Sequence, residues 1–188
     1  MRKIKLFGAA CAALLLVSAH ANAQGIFKSI LTPAVGETTI GPDGTYYAVV
    51  AGTGSTVQAP VTDLMAVGLA ATPATKWSVT LNGHVGQVLP GATTVYVVET
   101  TTSGTGRNAT ITTTVALLSA ATGVQTGTIT PTGSISDIEV RTINGTDYLY
   151  IYTTTTTSST SGNTTSFTTT RTLTIYSSTG SVIKSVTL

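Results

Sequence analysis

Asn144-Gly145-Thr146-Asp147-Tyr148-Leu149-Tyr150-Ile151-Tyr152 reads as a two-residue turn followed by a strand that is apolar or aromatic on both faces. Asn-Gly provides the two positive-φ residues that a tight hairpin needs, and the run behind it is rich in aromatic and β-branched residues. Two looser copies lie upstream: Pro42-Asp43-Gly44-Thr45-Tyr46-Tyr47-Ala48-Val49-Val50 and Pro90-Gly91-Ala92-Thr93-Thr94-Val95-Tyr96-Val97-Val98. Their turn glycines Gly44, Gly91 and Gly145 stand 47 and 54 residues apart. The rest of the chain can be laid out around the three strands behind them.

Each of these strands leads through a variable connection to another apolar strand, a Thr-Pro or Thr-Gly turn, and a last alternating strand. The turns are Thr72-Pro73, Thr122-Gly123 and Thr179-Gly180. A first strand precedes each copy, near 35–40, 85–89 and 135–142. Four antiparallel strands recurring at about 40 to 50 residues is the pattern of propeller blades. The expected fold is therefore all-β: three four-stranded antiparallel blade-like repeats, a partial or oligomer-completed β-propeller, with a β-sandwich as the alternative. The units run over about 31–83, 84–133 and 134–188. The connection between the second and third strands is longest in the third unit, where it becomes the Thr/Ser tract at 153–170. That tract reads as an extended, partly ordered hairpin, because Thr is a good strand former on an exposed face.

The repeat resembles the degenerate blade of pyrroloquinoline-quinone-type propellers, in which a Thr-Gly turn leads to a strand carrying a docking tryptophan. The resemblance covers residues 31–188 with a loose motif. Thr72-Pro73-Ala74-Thr75-Lys76-Trp77 keeps the Thr-to-Trp spacing, while Gly127 and Lys184 stand at the tryptophan position in the second and third units. The Asp that the family places three residues before the Thr is Leu69, Ser119 and Tyr176 here. These departures weaken blade stacking and count against quinone binding, so no cofactor is expected.

The N-terminus carries an export pattern. Arg2, Lys3 and Lys5 form a basic segment, residues 6–17 an apolar one, and Ala21-Asn22-Ala23 a small-x-small cleavage site. Residues 1–23 are read as a signal peptide, 24–188 as a single β-repeat domain with no transmembrane span. The expected location is exported: periplasm, cell surface or extracellular. The apolar run is too short to cross about 30 Å of hydrocarbon. Cys11 lies inside it with Gly8 three residues before, which does not fit a lipoprotein signal. Cleavage removes three of the nine basic residues and the single cysteine, leaving six basic against seven acidic residues. A near-neutral chain has no electrostatic case for nucleic acid, and it must hold together without disulfides.

Composition excludes most catalytic chemistry. Only 9% of residues are charged, and about 40 are threonines. Behind the leader stands one histidine, His84, in Leu81-Asn82-Gly83-His84-Val85, where a turn role is the ordinary reading. No serine lies in a Gly-x-Ser-x-Gly elbow. Asp137 and Glu139, at i and i+2 of a strand, share a face and are the closest acidic pair; a solvated face explains them better than a metal site. Asp43 fits a turn aspartate, while Glu37 and Arg107 have no motif around them. The glycine-rich segments Gly52-Thr53-Gly54 and Gly104-Thr105-Gly106 lack the following helix that a phosphate cradle uses. Asn108, Asn144 and Asn163 begin Asn-x-Thr sequences that matter only in a secretory route that glycosylates.

No catalytic, cofactor-binding or metal-binding residue is therefore assigned, and the chain is not expected to be an enzyme. The expected function is an exported non-catalytic interaction or structural module. Its partner is a protein or a second copy, engaged through the terminal units. The alternatives are a fragment of a quinoprotein or hydrolase propeller, a glycan-binding module using Tyr148, Tyr150 and Tyr152, and a surface-fibre module whose strand at 182–188 completes a neighbour's sheet.

Overall fold

A computed structural model describes residues 34–52, 61–69, 73–104 and 109–188, with side chains described from Thr38 onward. The expected leader, the side chain of Glu37, Arg107, Asn108 and most of the two glycine-rich segments lie outside the described residues. The described residues form three four-stranded antiparallel sheets and no helix. The first sheet comprises β1 Ala34–Ile40, β2 Tyr46–Ala51, β3 Thr62–Gly68 and β4 Ala74–Leu81. The second comprises β5 His84–Pro90, β6 Thr94–Ser103, β7 Thr110–Ser119 and β8 Gln125–Ile129. The third comprises β9 Ser134–Ile143, β10 Thr146–Ser161, β11 Thr164–Ser177 and β12 Val182–Thr187. Every sheet is a meander in sequence order, and the first strands β1, β5 and β9 lie beside one another. The sheets thus fan like blades from their first strands.

The three sheets are copies in register. Ala66 pairs with Tyr47 on one side and Trp77 on the other. Leu117 pairs in the same way with Tyr96 and Gly127, and Ile175 with Tyr150 and Lys184. A bulge follows each central residue, between Ala66 and Val67, Leu117 and Leu118, Ile175 and Tyr176. The tryptophan position aligned through the Thr-Pro and Thr-Gly turns is therefore one position in space.

Burial explains the continuous apolar strands. Val95, Val97, Ala116 and Leu118 of the second sheet pack on Tyr47, Val49, Leu64, Ala66 and Trp77 of the first. The alternate residues Tyr96, Val115 and Leu117 pack on Leu149 and Ile151 of the third. A sheet covered on both faces has no reason to alternate. On each sheet, the face toward the next sheet in sequence is called here the forward face.

Two details differ from the sequence reading. The turn glycines are not equivalent: Gly44 and Gly145 have φ of 77 and 76°, whereas Gly91 has no positive φ and is required by a close approach. The strand at 148–152 is covered on one face only. Leu149 and Ile151 are fully buried, while Tyr148, Tyr150 and Tyr152 on the other face stay half-exposed.

Candidate functional site

The tyrosines belong to the forward face of the third sheet. Residues opposite one another in an antiparallel ladder share a face, so four ladder partners form one row: Glu139, Tyr150, Ile175 and Lys184. The next row is Asp137, Tyr152, Leu173 and Val186, and Arg141 with Tyr148 begins the row on the other side. Arg141 lies over the Tyr150 ring, 5.2 Å from its centroid, and its Nη2 is 2.9 Å from Glu139 Oε1. The face is an apolar and aromatic centre between an acidic edge strand, β9, and the outer strand β12 with its lysine.

The same rows in the other sheets are docking faces. Trp77 is 8% exposed and donates its indole N–H to Ala120 O in the second sheet at 2.9 Å. Its ring lies 5.8 Å from Tyr47 and against Gly123, whose φ is +72°. In the second sheet Gly127 takes the tryptophan position, and the Thr179-Gly180 turn of the third sheet moves in beside it. A Cβ on Gly127 would meet Thr179 O at 3.6 Å. In the third sheet the position holds Lys184, and no further sheet covers it among the described residues.

A buried carboxylate fixes the orientation of the third sheet. Asp147, wholly inaccessible, accepts hydrogen bonds from the backbone N–H groups of Ala92, Thr93 and Thr94 at 2.8, 2.8 and 3.1 Å. The hydroxyls of Thr93 and Thr142 add bonds of 3.0 and 2.6 Å. Burial pushes its carboxyl up, but the bonds from Thr142, Thr93 and Ala92 outweigh that and hold it below its usual range. Asp43 caps its own turn instead, through the Thr45 hydroxyl at 2.6 Å and amide at 2.9 Å, with Lys76 Nζ at 3.1 Å. The Thr45 hydroxyl is the largest influence holding its pKa at about 2.

The remaining candidates stay apart. His84 is exposed at the start of β5. Asp137 accepts from the N–H of Ile138 at 2.9 Å and Glu139 pairs with Arg141, so their shared face is used for local contacts. Among the described residues no three His, Cys, Asp or Glu side chains come together. Among the described residues two buried polar atoms lack partners: Tyr96 Oη and Glu99 Oε1. Burial pushes the Tyr96 hydroxyl up to about 12, with the Asp147 charge adding to it, and burial raises the Glu99 carboxyl. A cleft of about 880 Å³ opens between the second and third sheets, lined by Gln87, Thr112, Thr130, Ser134, Asp137 and Thr155. Among the described residues lining it there is no aromatic ring on which a sugar could stack.

Compared with known protein families, curated proteins and solved structures, the chain matches none. The geometry itself defines a class: a stack of blade-like sheets whose last forward face is open.

Proposed function

We propose that this chain is an exported, non-catalytic β-repeat module that binds a protein through the forward face of its third sheet. The carrying observation is the register. Tyr150, Ile175 and Lys184 occupy the positions that Tyr47, Ala66 and Trp77 use to dock on the next sheet. Contiguous half-exposed apolar surface rimmed by charge is what a protein-binding patch presents. The likeness to propeller blades is supported by the three four-stranded antiparallel sheets and by the Trp77 contact; the altered positions at Gly127 and Lys184 give a quinone no support, and none is proposed.

The test is a photoreactive side chain at position 150 of the exported chain, with position 160 on the exposed hairpin as control. A protein adduct at 150 and none at 160 is expected. No adduct at 150, or hydrolytic or redox turnover abolished by His84→Ala, overturns this reading.

A further inference from the structure

We infer that the occupant of the forward face is the same face of a second copy, in a two-fold dimer whose axis runs parallel to the strands. This rests on the reading above and commits it to one partner and one geometry.

The row Glu139–Tyr150–Ile175–Lys184 carries the argument. Its two ends have opposite charge and its centre is an aromatic ring beside a branched aliphatic side chain. Rotation by 180° about an axis along the strands, lying between the two faces, exchanges left for right and keeps the level along the strand. Glu139 of one copy then faces Lys184 of the other, twice over, and Tyr150 packs on Ile175. A self-complementary patch of this kind is what an isologous interface requires. Arg141, which holds one oxygen of Glu139, leaves the other for the incoming ammonium. Rotation about the perpendicular axis instead stacks β9 on β9 and sets the acids Asp137 and Glu139 against their own copies. Like charges facing across an interface disfavour that arrangement.

The head-to-tail alternative places this face on the rear of the first sheet. On that rear, Ala48 and Val67, which point away from the second sheet, are inaccessible. The forward face of the third sheet shows the opposite state, with Val186 39% and Leu188 66% exposed. Four strands about 4.8 Å apart and a few residues deep form a small patch. The dimer therefore belongs among weak interfaces, dissociating in the micromolar range.

Sedimentation velocity of the purified exported chain, from micromolar to submillimolar concentration, tests the inference. A monomer–dimer equilibrium is expected. Lys184→Glu and Glu139→Lys should each weaken it by about tenfold or more, as like charges then face each other. The double variant Glu139→Lys/Lys184→Glu restores the opposite pairing and should return the affinity to near the parental value. Trp77 emission checks that each variant keeps its fold. A monomer at every concentration, a dimer indifferent to both reversals, a double variant no better than the singles, or species larger than a dimer overturns the inference. If the photoreactive probe at 150 then captures a different protein, the binding-module reading stands and only the dimer fails. With no adduct, both fail.

Discussion

Asp147 occupies the space that a side chain on Gly91 would fill: its Cγ lies 2.5 Å from the ideal Cβ position. The two residues sit in different sheets, so the glycine is retained to let a carboxylate reach the turn beside it. Gly91→Ala should cost about 1–3 kcal/mol, the range for overpacking a filled site. Equilibrium denaturation followed by Trp77 fluorescence measures it. The same change at Gly145 meets open space but a φ of +76°, so its penalty comes from backbone strain alone.

Asp147→Asn keeps the shape and reverses part of the hydrogen bonding, setting an amide N–H₂ against backbone donors. A loss of about 2–4 kcal/mol is expected, since buried groups lose partners. The pH dependence follows from the sign. The folded carboxyl is held below its unfolded value, so its stabilisation is fully present above the unfolded pKa near 4 and is lost as pH falls from there through the lower folded value. Denaturant midpoints of the parent should fall over that window. Those of the variant should fall less. Glu99 runs the other way, because burial raises its pKa and acidification relieves it.

Much of the fold was legible because strands announce themselves locally. Tyr-Leu-Tyr-Ile-Tyr and Val-Tyr-Val-Val fix where chain runs are extended, and the Thr-Pro and Thr-Gly turns fix the register at Trp77, Gly127 and Lys184. Asp147 was not legible. Its donors lie at Ala92 to Thr94, in another sheet, and nothing within Thr-Asp-Tyr says which turn will stand beside it. The three turn glycines looked alike for the same reason: sequence shows a glycine, not whether φ or a neighbour's carboxylate requires it. A strand apolar on both faces likewise reads as buried on both, although the third sheet is covered on one side only.

Trp77 is the docking contact between the first two sheets. Trp77→Phe removes the bond to Ala120 O and should cost about 1–2 kcal/mol; Trp77→Ala should cost about 3–5 kcal/mol. Gly123→Ala places a Cβ 2.5 Å from Trp77 Cε3 at a φ of +72°. It should be worse than Trp77→Phe, by thermal melts read in circular dichroism.

Gly127 provides the converse case. A Cβ there meets only ordinary contacts, at 3.6 Å to Thr179 O and 3.9 Å to Leu117 Cδ2. Gly127→Ala should be neutral or stabilising by about 0.5–1 kcal/mol, the usual difference inside a strand. Gly127→Trp, which restores the blade motif, should instead destabilise by about 1–3 kcal/mol because the third sheet's turn now fills the space. A gain in melting temperature for the tryptophan variant would show that the turn yields freely.

Leu149→Ala and Ile151→Ala should each cost about 2–5 kcal/mol, as truncations at fully buried sites do. Substitutions at Thr156 and Thr160, both exposed, should stay within about 0.5 kcal/mol. Urea midpoints of the four variants separate the two groups.

That tolerance has a consequence for the hairpin itself. From Thr155–Thr170 to Ser161–Thr164 the two arms pair residue for residue with every side chain exposed. They project roughly 20 Å at about 3.3 Å per residue. Its side-chain links are made by hydroxyls, such as Ser159 to Ser166 at 2.8 Å and Thr160 to Thr165 at 3.2 Å. Adding or deleting two residues on each arm preserves which face each hydroxyl points to and disturbs no packed side chain. Reach is thus a quantity this chain can change in steps of about 7 Å with its folding stability held constant: a telescoping arm on a fixed mount.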